Sequence, residues 1–505
     1  MIVRLTALLL LPVSIWAAEF HNGQAARLVI GQPSFSARDA GISASNLLIS
    51  GDRLYATEAA RRVLIFDLTK ILGPQDNLLA VQAASCLACG FAPIAVSNQP
   101  LLQGSPAVSI HGTTVALADA QNHRVLIWRD TRVSAANQMP DIVLGQPNSD
   151  LISVDGSTLL EPISVAFDGK RLFVGDAALR RVLIWNSLPT VNNQPADTVL
   201  GQQNLTSIET SEVPRADAIH RPTALLSDGA NLFVADSVDR RILVFSAADT
   251  PVPKNAISNS ASLLAGPLAP GTLITVTADR LADGTASTPD DTTQSLPTKL
   301  GNVEVLFDGV PLPLLSVSPT QVRAQIPYAF GNASSASVYV RTQHNDGRVT
   351  ITSASAAKIV SGNPGLFAFG GTEPRSGLIL HASTNPGGQS GTPVTSENPA
   401  QPGEILIVWA AGLGAVKDTS AATTPAVGVP YADSNARVIT PVSALVNGRS
   451  AHVVSAVLPQ GSIGIYEVRV VLPADLPNDP KTQLLIAQNG YVSNRITVPV
   501  QRPIE

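Results

Sequence analysis

The sequence predicts an all-β protein with two differently built halves. Three observations lead to this fold class: strand-like segments recur about every 60 residues in the first half, the second half contains one duplicated unit, and helical periodicity is almost lacking. The chain has 505 residues, of which 45% are hydrophobic and only 14% are charged. This length and composition suit about two to four domains with packed cores and argue against disorder.

Residues 1–18 are predicted to be a secretory signal peptide. Arg4 supplies a positive charge, residues 5–15 form an apolar run, and Ala17 and Ala18 supply small residues for cleavage. The apolar run is too short to cross a ~30 Å hydrocarbon core as a helix, although an uncleaved anchor is the alternative. We therefore expect an exported protein, periplasmic or extracellular, whose mature chain does not span a membrane.

Four copies of one strand pattern fill residues 19–250. Each copy contains about four short strands rich in β-branched and aromatic residues, separated by Asp-Gly or Asn-rich turns. The copies align on the arginine before the last main strand: Arg62, Arg124, Arg181 and Arg241. One such sheet cannot bury both of its faces alone, whereas stacked copies can. The pattern therefore predicts a small β-propeller of about four blades.

Residues 27–246 resemble the NHL-repeat propellers. The family pattern places a proline and an apolar strand before Asp-Gly, then a second strand ending in Asp, then Arg and a third strand, and residues 221–245 match it closely. NHL propellers usually have more blades, so an incomplete or open ring is the alternative to a closed one. If the ring closes, we expect residues 28–31 to complete the blade that contains residues 233–245, with Val29 close to Val244.

The second half is predicted to contain two tandem Ig-like β-sandwiches. Residues 270–281 align with residues 402–413, and residues 306–317 align with residues 446–456 at an offset of about 139. Short alternating strands with Gly, Pro and Asn turns are typical of this fold. We expect the first sandwich in residues 251–364. Residues 365–505 are expected to contain a connector, which carries some short strands, and the second sandwich.

This half also resembles the C-terminal domain of an uncharacterised family of exported proteins from soil bacteria. The similar segments are residues 259–276, 307–309, 321–328, 398–414 and 491–500. The resemblance implies a fold and an exported location, and it offers no activity to transfer.

An acidic residue and an arginine recur in every copy of the first half. The pairs are Glu58 and Arg62, Asp119 and Arg124, Asp176 and Arg181, and Asp236 and Arg241. A structural role, in which each acid binds a turn and each arginine pairs with it or covers a neighbouring blade, is the favoured interpretation. The alternative is a ring of charges on one propeller face that binds an anionic or sugar ligand.

Cys86 and Cys89 form a CxxC pair, for which an exported protein predicts a local disulfide. A redox-active pair, free thiols and a metal site completed by His111 and His123 are the alternatives. No cofactor or metal is predicted, because the seven histidines form no HExxH or HxH pattern.

Three tryptophans carry further expectations. Trp128 and Trp185 occupy the strand position that Phe66 and Phe245 take in other blades, which favours packing over sugar stacking. Trp409 is expected in the core of the last sandwich.

The sequence predicts a non-catalytic binding or scaffold protein whose ligand is a protein or glycan at the cell surface. An enzyme is the less favoured interpretation. A net charge of −5 and a pI of about 5.8 give no support to nucleic-acid binding. The alternative is a propeller-based lyase or hydrolase with a metal-assisted site, for which these residues should converge: His111, His123, His220, Asp119, Asp176 and Asp236. A third hypothesis is a partner chain that completes the ring, which an unpaired apolar strand edge would indicate. The sequence does not define an oligomeric state.

Overall fold

The computed structural model describes most of the chain from residue 18 to residue 502. The described ranges are 18–38, 42–50, 53–58, 62–68, 82–85, 107–129, 139–145, 154–249, 251–253, 256–288, 294–330, 333–382, 391–417, 425–432 and 436–502. The predicted disulfide of Cys86 and Cys89 lies outside these ranges, as does the predicted signal peptide apart from Ala18. The side chains of Glu58 and Arg62 are also outside the description.

The first half forms blade-like antiparallel sheets of four strands each. We number these sheets as blades 1 to 4 in chain order. The N-terminal strand β1 (Leu28–Ile30) is the exception, because it belongs to blade 4. Blade 1 contains β2 (Ala44–Ser50), β3 (Arg53–Glu58), β4 (Arg62–Asp67) and β5 (Gln82–Ser85). Blade 2 contains β6 (Ala107–His111), β7 (Thr114–Asp119), a 3-10 turn (Ala120–Asn122), β8 (Arg124–Trp128) and β9 (Ile142–Gly145). Blade 3 contains β10 (Pro162–Phe167), β11 (Leu172–Asp176), β12 (Arg181–Trp185) and β13 (Thr198–Leu200), and blade 4 adds β14 (Pro222–Ser227), β15 (Asn231–Asp236) and β16 (Arg241–Ser246) to β1.

The N-terminal strand β1 belongs to the sheet of the last blade. Strand β1 pairs with β16 in antiparallel register, so that Leu28 lies opposite Val244 and Ile30 lies opposite Ile242. The predicted completion of this blade by the N-terminal segment is therefore confirmed. Because Ile30 packs in a core shared by blades 4 and 1, this pairing also joins the two ends of the blade series.

We expect Ile30→Ala to lower the free energy of unfolding by about 2–4 kcal/mol, because Ile30 is only 1% exposed and the substitution leaves a cavity in that shared core. Denaturant titration followed by circular dichroism measures the change. The control is Val191→Ala, at a side chain that is 58% exposed, which should change stability by about 0.5 kcal/mol or less. Equal small effects of both variants would contradict the role of β1 in closing blade 4.

The blades pack in series through their first strands. Strand β10 packs against β6 on one side and β14 on the other, and β14 packs against β2. Between blades 1 and 2, the described residues show exposed apolar side chains instead: Leu48 of β2 is 59% exposed and Ile110 of β6 is 67% exposed. Within the described ranges, the series thus runs from blade 2 through blades 3 and 4 to blade 1, and the first strands of blades 1 and 2 do not cover each other.

Two five-stranded sheets form the first sandwich around one core. One sheet has the order β17-β18-β23-β22-β19, and in the other β21-β20-β24-β25 is extended by β26 pairing with β24. The strands are β17 (Ile257–Asn259), β18 (Leu273–Thr277), β19 (Ala286–Ser287), β20 (Val303–Phe307), β21 (Val310–Pro311), β22 (Leu314–Val317), β23 (Gln321–Gln325), β24 (Ser335–Gln343), β25 (Val349–Ile351) and β26 (Ser355–Lys358).

The second sandwich has sheets of seven and six strands. The first has the order β27-β30-β36-β35-β32-β31 with β29 on β30, and the second has the order β28-β39-β37-β33-β34 with β38 on β37. The strands are β27 (Gly365–Leu366), β28 (Arg375–Ser376), β29 (Ile379–His381), β30 (Ile405–Ala411), β31 (Val416–Lys417), β32 (Ala436–Val438), β33 (Ser443–Val446), β34 (Arg449–Ala451), β35 (Val453–Leu458), β36 (Tyr466–Val471), β37 (Asp479–Gln488), β38 (Tyr491–Val492) and β39 (Ile496–Val500). The segment expected to be a connector therefore contributes β27, β28 and β29 to these sheets.

The propeller and the first sandwich share a hydrophobic core. Phe20, Phe35 and Phe173 from the first half lie in one buried cluster with Leu306 and Tyr339 from the sandwich. Polar contacts reinforce this junction: the amide of Ala25 donates to the carbonyl of Ala354 at 3.0 Å, and the amide of Ala216 donates to Ser335 Oγ at 3.2 Å. The two units are thus held in a fixed relation by both apolar burial and backbone hydrogen bonds.

Among the described residues, no helix has the length and hydropathy needed to cross a membrane.

Candidate functional site

A buried carboxylate organises the entry to each of blades 3 and 4. Asp176 accepts hydrogen bonds from the backbone amides of Leu160 at 2.9 Å and Glu161 at 3.0 Å. In the equivalent place, Asp236 accepts from the amides of His220 at 3.2 Å and Arg221 at 2.8 Å. Both aspartates are 0% exposed, so an external ligand cannot reach them.

The arginine five residues later ties the same blade to its connecting loops. Arg181 and Arg241 are 0% exposed, and each guanidinium donates to three backbone carbonyls at equivalent repeat positions. For Arg181 the acceptors are Leu205 (2.8 Å), Asp155 (3.0 Å) and Thr158 (2.8 Å), and for Arg241 they are Phe35 (2.6 Å), Arg215 (3.2 Å) and Ala218 (2.7 Å). Each arginine therefore satisfies loop carbonyls that would otherwise be buried without a donor.

Blade 2 carries a variant of this arrangement. Arg124 Nε donates to Asp119 Oδ2 at 2.9 Å, and Asn122 Nδ2 donates to both oxygens of the same carboxylate at 2.9 and 3.0 Å. Asp119 is only 1% exposed. In blades 2, 3 and 4, the repeated acid and arginine thus contact loops and turns of their own blade.

Blade 4 adds an ionic pair where blade 3 has apolar side chains. His220 and Asp239 occupy the repeat positions that Leu160 and Leu179 occupy in blade 3. His220 Nδ1 lies 2.5 Å from Asp239 Oδ2, and His220 Nε2 lies 2.7 Å from the carbonyl oxygen of Ser211. Because both ring nitrogens face oxygen acceptors, the geometry favours the doubly protonated imidazolium. The difference is visible when the repeats are aligned, although Asp239 is not among the site residues predicted from the sequence.

Charge and burial together set the pKa values of His220 and Asp239. Burial alone would lower the pKa of His220, but the hydrogen bond and negative charge of Asp239 outweigh it and raise that pKa above its ordinary value. Burial opposes ionisation of Asp239, yet its contacts with His220 and Arg241 hold the pKa of Asp239 below its usual range. The pair is therefore ionised together across a wide pH interval.

The cluster of His220, Asp236 and Asp239 has its ligand atoms within 4.8 Å of one another, as a metal site would require. However, the Arg241 guanidinium already lies 3.1 Å from Asp236 Oδ2 and 3.0 Å from Asp239 Oδ2. Arg38 Nε donates to Asp239 Oδ1 at 2.6 Å. Because fixed cations already occupy the carboxylates, these residues form an ion-pair network that does not suit a metal ion.

A propeller-based enzyme with a metal-assisted site would require six residues to converge. Within the described ranges, only two of them, His220 and Asp236, lie in one group of possible metal ligands. His111 packs edge-on against Phe167, with ring centroids 5.9 Å apart, and His123 Nδ1 contacts the carbonyl oxygen of Leu160. These contacts place both histidines where blade 2 meets blade 3. Asp119 and Asp176 serve their own blades, as described above.

The tryptophans occupy different environments. Trp185 is 1% exposed, lies in the core between blades 2 and 3, and donates its indole N–H to the carbonyl of Gln194 at 2.9 Å. Trp128 is half-buried. Trp409 is also half-buried and is not part of the second sandwich core, so its expected core position is wrong. Trp409 lies on β30 opposite Glu467 of β36, on the face of that sheet turned away from the core.

A cleft of about 660 Å³ lies between the propeller and the first sandwich. The N-terminal segment from His21 to Gln24 and the loop around Gln203 form one wall. Residues 353–358 of the sandwich, which include β26, form the other wall, and residues 265–267 close one side. The sequence could not reveal this cleft, because its walls are more than 100 residues apart along the chain.

Comparisons with known proteins find only remote structural similarity. No protein-family model matches it, and no curated protein matches it. The designed protein Ika4 is 13% identical, with a TM-score of 0.18, and the match covers 43% of this chain and 99% of Ika4. SGBP-B of Bacteroides ovatus, solved in complex with a mixed-linkage heptasaccharide, is 12% identical with a TM-score of 0.13, covering 44% of this chain and 41% of that one. The fibronectin(III)-like modules of CbhA from Clostridium thermocellum are 13% identical with a TM-score of 0.13, covering 49% of this chain and 97% of theirs.

The sheet topology defines an all-β protein in which blade-like sheets of four strands precede larger sandwich-like sheets. At such low identities and scores, the matched proteins carry no argument about what this chain binds.

Proposed function

We propose that this chain is an exported, non-catalytic binding protein whose ligand occupies the cleft between the propeller and the first sandwich. Export is supported by Arg4 and the apolar run of residues 5–15. The NHL-type repeat in residues 27–246 and the likeness of the second half to exported soil-bacterial proteins belong to the same proposal. The ligand is a protein segment or a glycan.

The observation that carries the proposal is that the cleft is preformed by two units with a shared core. Phe20 and Ala354, which belong to opposite sides of the junction, lie in the same buried cluster. The Ala25 amide bonds the Ala354 carbonyl directly beside the cleft. A preformed site loses less conformational freedom when it binds a ligand than a site that must first be assembled.

The second sandwich extends this rigid frame. Arg375 Nη2 donates to the carbonyl oxygens of Ala261 and Ser262 in the first sandwich, at 3.3 and 2.9 Å. Asn259 Nδ2 donates to the carbonyl oxygens of Asn363 and Ala411, each at 3.3 Å. These buried contacts support a scaffolding role for the second half. The last sandwich would hold the cleft at a fixed distance from its own binding partner.

The test is a binding screen on the mature chain from residue 19 onward. Neutral hexasaccharides, an oligogalacturonate and uncharged hexapeptides are titrated by calorimetry into the wild type and into Ala265→Trp. Ala265 is exposed and lines the cleft, so its replacement by tryptophan should fill the cleft without disturbing a core. We expect at least one class of probe to bind the wild type and to lose about tenfold or more in affinity in the variant.

The matched control is Leu264→Trp. Leu264 is the neighbouring residue, is 52% exposed and does not line the cleft. It should bind the same probe as the wild type does. Binding of no probe, or equal binding by both tryptophan variants, would overturn the proposed location of the site.

A further inference from the structure

The blade series leaves a seam between blades 1 and 2, which we define by Leu48 of β2 and by Val108 and Ile110 of β6. These three side chains are 59%, 46% and 67% exposed. Within the described ranges, no blade covers them, because the series runs from blade 2 through blades 3 and 4 to blade 1. Apolar side chains grouped on one surface indicate an interaction site, whereas single scattered ones do not.

The repeat position of Val108 is buried in the other three blades. The strand registers make Val108 equivalent to Leu47 of blade 1, Val165 of blade 3 and Leu225 of blade 4. Those residues are only 6%, 6% and 8% exposed, because each lies in a core shared with the blade before it in the series. Val108 is exposed because blade 2 is the first of the series. Its apolar character is therefore that of a blade interface with one side missing.

The closed junctions show which positions meet where two blades pack. At the junction of blades 2 and 3, Ser109 Oγ accepts a hydrogen bond from the Phe167 amide at 2.9 Å. At the junction of blades 4 and 1, Leu226 and Ile49 pack against the same core. Each pair joins the first strand of one blade to the first strand of the next blade in the series. A given position of one blade thus meets a fixed position of its neighbour.

Leu48 and Ile110 are the corresponding pair at the seam. By strand register, Leu48 has the repeat position of the first residue of each pair above, and Ile110 has that of the second. The seam is therefore a blade junction whose two apolar sides are both present, although the described residues do not pack them on each other. Burial of both sides would remove apolar surface from water, which favours association.

The first sandwich leaves the seam accessible. Its Leu306 and Tyr339 share a buried core with Phe173 of blade 3 and Phe245 of blade 4. Blades 3 and 4 are the middle of the series, whereas the seam lies between its two ends. The described part of the sandwich is therefore attached on the side of the propeller away from the seam.

We propose that the seam is an interface with a second copy of this chain, and that two series of four blades form one ring of eight. In this assembly, Leu48 of each copy contacts Ile110 of the other copy, because a twofold axis repeats the junction. A second copy fits because it carries both sides of the unfilled junction, and the same kind of junction already joins blades 2, 3, 4 and 1 within the chain. Eight blades lie within the range of about four to eight that propellers adopt.

The inference goes beyond the proposed function, because it concerns the seam and not the cleft. The assembly would carry two clefts, one from each copy, and could therefore hold a ligand with two binding segments more tightly than a single chain does.

The experiment measures the mass of the mature chain and its variants by light scattering and sedimentation velocity. Because Leu48 and Ile110 are exposed, Leu48→Lys and Ile110→Glu should fold, which circular dichroism checks. We expect the wild type to dimerise at micromolar concentrations and each variant to dimerise at least about tenfold more weakly. The control is Ile208→Lys, at a side chain that is 56% exposed in the loop between blades 3 and 4, and it should dimerise as the wild type does.

A mixture of Leu48→Lys and Ile110→Glu tests which faces meet. In a mixed dimer, the two introduced charges of opposite sign face each other at one junction, and the other junction keeps its native leucine and isoleucine. We expect the mixture to dimerise at least about fivefold more tightly than either variant alone. A mixture that dimerises no better than the single variants would overturn the proposed pairing of Leu48 with Ile110.

Negative-stain electron microscopy of the wild-type dimer should show one ring of eight blades, and this measurement does not depend on any variant. A wild type that stays monomeric would overturn the inference, including the case in which residues 86–106 of the same chain cover the seam. A dimer that resists both substitutions, or a ladder of trimers and longer species, would also overturn it. None of these outcomes involves ligand binding to the cleft, so the inference and the proposed function fail independently.

Discussion

Asp239→Leu is expected to destabilise the propeller by about 3–5 kcal/mol, because it leaves charged groups buried without their partner. His220 would keep only the Ser211 carbonyl, and Arg241 would lose one of its two carboxylates. The side chains of Asp239, His220 and Arg241 are all buried, so water cannot replace the missing charge. Denaturant-induced unfolding followed by tryptophan fluorescence measures the loss.

The double variant His220→Leu/Asp239→Leu should recover a large part of that stability. It recreates in blade 4 the pair that blade 3 has naturally as Leu160 and Leu179. Arg241 would still bind Asp236 and its carbonyl acceptors, just as Arg181 is satisfied by carbonyls in blade 3. We expect the double variant to be more stable than Asp239→Leu by about 1–3 kcal/mol in a double-mutant cycle with His220→Leu. Simple additivity of the two single effects would contradict the coupling.

The same pair gives the wild type a defined pH response. The raised pKa of His220 contributes stability that is complete below about pH 6.5 and is lost as pH rises through the folded-state value. The lowered pKa of Asp239 contributes stability above about pH 4 that is lost as pH falls through its folded-state value. The difference in unfolding free energy between wild type and double variant should therefore be most favourable to the wild type between these limits.

Asp308→Asn is expected to stabilise the first sandwich, increasingly so as pH rises from about 4 to 7. Burial raises the pKa of Asp308 from 3.8 to about 7, opposed only by the hydrogen bond from the Ser337 amide. The folded state thus favours the neutral acid, and unfolding releases a proton in this interval. The wild type should lose up to about 4 kcal/mol on that account by pH 7, while the amide loses none.

The second sandwich shows that asparagine fits this position. Asp308 and Gly309 form the positive-φ turn between β20 and β21, with φ values of 51° and 81°, and Asn447 and Gly448 form the same turn between β33 and β34. Asn447 Oδ1 accepts the Gln483 amide at 2.8 Å, as Asp308 Oδ1 accepts the Ser337 amide at 2.7 Å. The variant therefore keeps the turn and its hydrogen bond.

Thermal and denaturant unfolding at pH 4, 5.5 and 7 would measure this dependence. Asp346→Asn, at a side chain that is 66% exposed, is the control and should follow the wild type at every pH. A constant difference between wild type and Asp308→Asn from pH 4 to pH 7 would contradict the assignment of a neutral buried carboxyl.

The blades were predictable because their stability depends on local, repeated patterns. Alternation of strands and turns identified each sheet. The repeat also predicted that residues 28–31 complete the blade of residues 233–245, and the pairing of β1 with β16 confirms this. The Asp-Gly and Asn-Gly turns likewise marked equivalent hairpins in both sandwiches. The connector was harder to interpret, because β27, β28 and β29 contain only two or three residues each and are stabilised by the sheets they join.

The candidate site depends on contacts that no local pattern encodes. The cleft places residues 21–24 opposite residues 353–358, which lie more than 300 residues later in the chain. The sequence alone determined the strand repeats, the turns and the buried blade carboxylates, since backbone pairing and side-chain alternation act over short distances. Only the tertiary structure decided which distant surfaces meet and which side chains lose their water, because burial and hydrogen bonding across domains depend on the whole packed chain.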